Sequence, residues 1–226
     1  MPELLSIQVA VPAVHSYAQP DDGVGREWTS AIFKQPVSGP VWLGTVNLDG
    51  DQQADLKNHG GPDKAVLMYA AAHYDHWRAT LPDKNWVYGG FGENFTVSGL
   101  DETEVAIGDV FAIGDARVQV SQPRQPCWKL ARRWEQKDLA VRVRETSYTG
   151  WYVRVLQAGS VEAGMPLERL EQPYPQWTIA RVSAIINDFD GHLEEALELV
   201  QCPAFSSAGW RRRLEANLKF KLANRT

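Results

Sequence analysis

Hydrophobic and polar positions alternate differently in two parts of this chain. Up to Leu170 the apolar residues come in short runs, punctuated by Gly, Pro and Asp-Gly-like turns. Leu4 to Val11, Ala31 to Phe33 and Val41 to Leu48 read as strands, the last two separated by the turn-rich PVSGP. Phe95 to Val97, Val105 to Val110, Phe111 to Ile113 and Arg117 to Val120 read the same way, with Gly108-Asp109 and Gly114-Asp115 as breaks. Trp151 to Leu156 and Pro166 to Leu170 complete the set. Many short strands with regular turn signals predict a closed or partly open β-barrel.

Helical periods interrupt the strands. Leu67, Ala70, Tyr74, Trp77 and Leu81 form an apolar stripe at helical spacing, and Pro62-Asp63 marks its start. A short helix is predicted after Cys127, and another over Asp138 to Glu145. Composition shifts at Gln172 to Gln176 (QPYPQ), which reads as a linker. Beyond it, Thr178 is placed to cap a helix through Ile186, followed by helices at His192 to Val200 and Ser207 to Lys221. The pattern therefore predicts a mainly-β chain with helices (α+β). Residues 1–172 form the barrel, and residues 173–226 form a small three-helix C-terminal domain.

Composition narrows the class. The chain has 226 residues, enough for a substantial core. Its net charge of −5 gives no global pull toward nucleic acid or an anionic membrane. The C-terminal WRRRLEANLKFKLANR carries six basic residues against one acidic, and offers a nucleic-acid or membrane surface. The acidic HLEEALELV nearby argues instead for a solvated helix face. No apolar run of ~18 residues is present, and the N-terminus lacks the basic and apolar regions of a signal peptide. Two cysteines far apart in sequence form neither a disulfide framework nor a zinc pair, so a reducing, cytoplasmic setting is expected. Nine tryptophans can fill a core or line a pocket.

Candidate chemistry centres on VQVSQPRQPCWKLARRW. Pro126 suits a first helical position, which would set the Cys127 sulfur at the positive end of a helix. Arg124 and Lys129 flank it. That setting favours the thiolate, the form that attacks electrophiles and binds soft metals. The competing reading is a small buried hydrophobe. The loop KNHGGPDK brings Lys57, His59, Gly60, Gly61 and Lys64 together ahead of a helix, as an anion cradle or as a bare turn. GGFGEN is a weak match to a nucleotide loop, and offers Glu93 and Asn94 to a polar ligand or none at all. Arg154 sits beside aromatics on a strand, able to reach a barrel mouth or the surface. His73 and His76 lack an acidic or thiol partner nearby in sequence, which favours an exposed pair over metal ligands. No G-x-S-x-G is present, and Cys202 reads as structural.

Three segments in order carry a resemblance: Lys57-x-His59-Gly60-Gly61-Pro62-Asp63, then Phe91-Gly92-Glu93-Asn94, then Ser121-Gln122-Pro123-Arg124-x-Pro126-Cys127-x-Lys129-Leu130. Together they resemble the MOSC family (molybdenum cofactor sulfurase C-terminal domain), in its YiiM-like branch. The resemblance implies a β-barrel followed by three helices, and a pterin-bound molybdenum cofactor with Cys127 as the protein ligand of the metal. It implies reduction of N-hydroxylated bases such as 6-hydroxylaminopurine. Lys57, His59, Gly60, Gly61, Lys64, Asn94, Arg124 and Arg154 would hold the cofactor, and His59 and Glu93 would move protons. Lys64 stands where arginine is common in the family; lysine keeps the charge but loses the bidentate fork. A carrier of the cofactor, or of sulfur on Cys127, is the alternative. No flavin, iron–sulfur or haem signature is present, so a separate electron-donor protein is expected. A homodimer is expected by analogy alone.

Overall fold

The computed structural model describes residues 1–17, 26–206 and 209–223. Its first strands are β1 (Glu3–Val9), β2 (Ala13–Ser16), β3 (Glu27–Ser30), β4 (Gln35–Val37) and β5 (Val41–Leu43). Helix α1 (Leu56–His59), strand β6 (Val66–Ala70), helix α2 (His73–Thr80) and strands β7 (Phe95–Ser98), β8 (Val110–Ile113) and β9 (Ala116–Pro123) follow. Then come helices α3 (Trp128–Trp134) and α4 (Leu139–Thr146) and strands β10 (Trp151–Gln157), β11 (Gly159–Val161) and β12 (Glu168–Glu171). Helices α5 (Ile179–Asn187), α6 (Leu193–Leu199) and α7 (Trp210–Ala223) end the chain.

Eight strands make one sheet, in the order β12-β8-β9-β10-β6-β7-β1-β4. Among the described residues only β6 and β7 pair in parallel. The sheet curls back on itself. Glu3 bridges Pro166, just ahead of β12, and the Leu4 and Leu167 N–H groups donate to the Met165 and Pro2 carbonyls beside that bridge. Register shifts in β1 and β10 add the local twist that such a curl needs. The outcome is a curled half-barrel, with β2/β3 and β5/β11 as separate pairs.

Several predicted elements change. The stripe from Leu67 to Leu81 is not one helix. Val66 to Ala70 is strand β6, buried at every position between β10 and β7, and the helix is only His73–Thr80. A strand covered on both faces shows no alternation, so apolar spacing alone does not separate it from a helix. Ala31 to Phe33 is no strand; β3 ends at Ser30, whose hydroxyl accepts from the Ile32 N–H and turns the chain. Val105 to Val110 is mostly a turn, closed where Asp109 accepts from the Ala106 N–H. The Val41 run stops at Leu43, where Gly44 donates back to the Asn47 carbonyl.

The helices after Cys127 and Gln176 follow the sequence pattern. Thr178 caps α5 by accepting from the Arg181 N–H. The predicted start at Ser207, and Arg225 of the basic tail, lie outside the described residues. One apolar cluster runs from Leu4, Phe95 and Trp151 of the sheet into Val182, Leu199 and Leu214 of the helices. A second, aromatic cluster joins Tyr74, Trp77, Trp86 and Phe91 to Leu130, Leu139 and Val143. Burying a side chain such as Leu130 contributes about 1.5–3 kcal/mol, so α3 is pinned firmly. Among the described residues no helix is long and apolar enough to cross a membrane.

Candidate functional site

Strand β9 delivers Arg124 through Cys127 to one end of the half-barrel, and α3 begins there. Cys127 itself is the N-cap of α3, with extended backbone (φ −112°, ψ 167°), so Pro126 precedes the cap instead of filling the first helical position. The fully buried Leu130 holds the helix, while Cys127 stays partly open. It lines two adjoining spaces: an inner cavity of about 90 Å³ and an outer cleft of about 700 Å³. Asp55, His59, Lys64, Lys129 and Tyr152 also border both.

The twin-glycine loop stands opposite. Asp55 caps α1 by accepting from the Asn58 N–H at 3.0 Å and the Asn58 side-chain amide at 2.9 Å. A side chain at Gly60 would press on Leu56, at 3.0–3.2 Å, and Gly61 has φ +96°. Both glycines are thus required by the turn. Neither lines the cavity, nor does Lys57, which is exposed. His59 and Lys64 do line it. Burial, then the charges of Lys129 and Arg124, pushes the His59 imidazole down to about 4 against the pull of Asp55. His59 is therefore neutral near pH 7. Burial also lowers Lys64, whose ammonium donates to the Asn58 carbonyl at 2.6 Å. Burial raises the Tyr152 phenol to about 12, with Arg124 opposing and Cys127 adding.

Arg124 is 6% exposed and lines the inner cavity. Its Nη2 donates to the Phe91 carbonyl at 3.0 Å, whereas its buried Nη1 has no hydrogen-bond partner. Arg124 also borders a second, small cavity, and a buried guanidinium nitrogen without a partner is costly unless an anion meets it. Asn94 lines the same cavity, but its amide is committed to the frame. Nδ2 donates to the Gln8 carbonyl (3.2 Å) and to Asp51 (2.9 Å), and Oδ1 accepts from the Leu67 N–H (3.3 Å). Asp51 in turn is ion-paired with Lys34, a buried lysine of the cavity wall. Lys34, Asp55, Gln52, Gln53 and Tyr152 all escaped sequence reasoning. A lysine directly after the apolar Ala31-Ile32-Phe33 was the only signal for the first.

Two candidates lie elsewhere. Glu93 is fully buried and does not border the cavity. Its carboxylate accepts from the N–H groups of Gly89 (2.7 Å) and Phe91 (3.0 Å), from Thr96 (3.1 Å) and from the Tyr74 hydroxyl. It holds the GGFGEN loop closed. Arg154 also faces away. It pairs with Asp63 at 2.8 Å and donates to Gln119 and to the Ala204 carbonyl. His73 is not exposed: its Nε2 lies 2.6 Å from Glu102, and its ring stacks on Tyr148 at 3.8 Å.

Among the described residues no group of three or more His, Cys, Asp or Glu side chains converges as a metal site. A metal at Cys127 would have to arrive with ligands of its own. A soft metal on an anionic organic chelate fits one thiol, a cationic wall and the unpaired Arg124 nitrogen.

Fold and site together define a class: a curled half-barrel with a lone cysteine at the mouth of a cationic cavity. The chain belongs to the MOSC domain family, whose model matches residues 55–168. It is 42% identical over 210 residues to the uncharacterized protein YflK of Bacillus subtilis, covering 92% of this chain and 90% of that one. It is 37% identical over 183 residues to a protein of Gibberella moniliformis named reductase, covering 80% of this chain but only 32% of that much longer relative. The crystal structure of YiiM from Geobacillus stearothermophilus superposes with a TM-score of 0.79 at 33% identity, covering 96% of this chain and all (100%) of that one.

Proposed function

We propose that this chain binds the molybdenum cofactor, with Cys127 as the protein ligand of the metal, and reduces N-hydroxylated bases such as 6-hydroxylaminopurine. The supporting observation is Cys127 at the junction of the inner cavity and the outer cleft, with Arg124, whose Nη1 lacks a partner, in the wall. The name of the fungal relative favours a reductase.

When bound, the cofactor supplies the two-electron chemistry that converts a hydroxylamino group to an amine and water. The protein supplies grip and protons. Arg124 and Lys129 counter the anionic charge of the cofactor, and Lys64 adds to them from the opposite wall. Glu93, committed to four donors, keeps the loop rigid and takes no part in proton transfer. His59 is the titratable group at the junction. An anion beside it opposes the fields of Lys129 and Arg124, so its pKa rises from about 4 toward the range where it can carry a proton. Electrons come from a separate donor protein.

Reduction of 6-hydroxylaminopurine by protein purified from a cofactor-competent host, with a chemical reductant, tests this. Turnover is expected in the loaded wild type and its loss in Cys127→Ser. A fully loaded wild type that turns over nothing would remove the reductase and leave the carrier alternative.

A further inference from the structure

The outer cleft is lined by aromatic and cationic side chains that the inner cavity lacks. Trp128 lines it and is 39% exposed, yet its ring is braced. Trp28 meets it edge-on at 5.4 Å, and the Arg132 guanidinium lies 5.1 Å from its centre. The Lys129 ammonium also lies 5.8 Å from the ring centre. A large, partly exposed ring held in place by its neighbours is a stacking platform, because every flat base has a π-face to offer. The other wall comes from the C-terminal helix. Trp210 lines the cleft, and Arg213, one turn on, lies 5.2 Å over its ring.

That helix is strapped to the site. Ser206 donates its hydroxyl to Asp63 at 2.8 Å and its N–H to the Ser121 carbonyl at 3.0 Å. Gly209 packs so closely on Gln122 that a Cβ there would lie 2.8 Å from its side-chain oxygen. Ser206 and Gly209, just ahead of Trp210, are thereby held against Asp63, Ser121 and Gln122. Arg213 borders the outer cleft, and Arg124 does not.

We infer that the outer cleft binds a planar nitrogen heterocycle carrying an anionic tail, a nucleoside monophosphate, with its base on Trp128 and its phosphate at Arg213. This rests on the reading above only for the reaction at Cys127. It makes the N-hydroxylated nucleotide, not the free base, the preferred substrate, and it gives the C-terminal helix a part in specificity. The step balances as R–NH–OH with two electrons and two protons giving R–NH₂ and water. The electrons come from the same donor class, a one-electron or two-electron carrier protein.

Calorimetric titration of the cofactor-loaded protein with adenine and with adenosine 5′-monophosphate tests the site without turnover. The nucleotide is expected to bind about tenfold more tightly or better. Arg213→Ala should bring it down to the affinity of adenine and leave adenine unchanged. Trp128→Ala should weaken both, and Trp128→Phe, which keeps a ring, should restore most of the loss. Equal affinities for base and nucleotide, or an Arg213→Ala protein that binds like wild type, would overturn the inference. Free-base reduction with equal affinities leaves the reductase standing and this site refuted. Nucleotide binding that depends on Arg213, without any turnover, refutes only the reductase.

Discussion

Asp63 and Arg154 meet in a 2.8 Å ion pair that ties the twin-glycine loop to strand β10. Asp63 spends its other oxygen on Ser206, so one carboxylate joins three distant segments. Both partners are about one-fifth exposed, which discounts the pair from its fully buried value. Asp63→Ala is expected to cost roughly 1–2 kcal/mol, a fall in Tm of about 2–8 °C for a chain of this size. Thermal unfolding checks this, and an unchanged Tm would mean the three segments hold together without the pair.

The Lys34–Asp51 pair is more deeply buried, and Asp51 also accepts from Asn94 and from the Ala10 N–H, both at 2.9 Å. It also accepts from the Gln53 amide at 3.3 Å, so removing the carboxylate strands a buried ammonium and takes a partner from three donors. Asp51→Ala should lose about 3–5 kcal/mol in urea unfolding, while Lys34→Met, which leaves an apolar chain in its place, should lose clearly less. Equal losses from the two would contradict this assignment of roles.

His59 gives a pH signature. Its folded pKa of about 4 lies below the unfolded value of 6.5, so the unfolded chain binds more protons between them. Stability from this residue is full above pH 6.5 and is lost as the pH falls toward 4. After allowance for solvent around a partly open ring, the loss is roughly 2–3 kcal/mol. The difference in unfolding free energy between wild type and His59→Gln, measured at pH 7 and near pH 4, should show it. Parallel pH profiles for the two proteins would rule it out.

The legible parts of the sequence were those governed by local rules. The helix after Cys127 and the Thr178 cap follow from neighbours in the chain. Strand β6 was misread because both its faces are covered, which erases the alternation that marks a strand. The ordered motifs placed His59, Lys64, Arg124 and Cys127 around one cavity. They also drew in Glu93 and Arg154, charged residues whose partners are backbone amides and the Asp63 carboxylate. Spacing cannot show whether a charge faces a ligand or its own fold. The same holds for Lys34, whose partner Asp51 is fixed only when β1, β4 and the Asp51 turn come together.

Everything proposed for this cavity depends on one sulfur holding one heavy atom. The direct measurement is molybdenum and pterin content per chain, for wild type and Cys127→Ser purified in parallel from a cofactor-competent host. The account predicts near-stoichiometric metal in the wild type and a loss of most of it in the serine variant at unchanged Tm of the metal-free protein. Equal metal in both, or none in either, would contradict it.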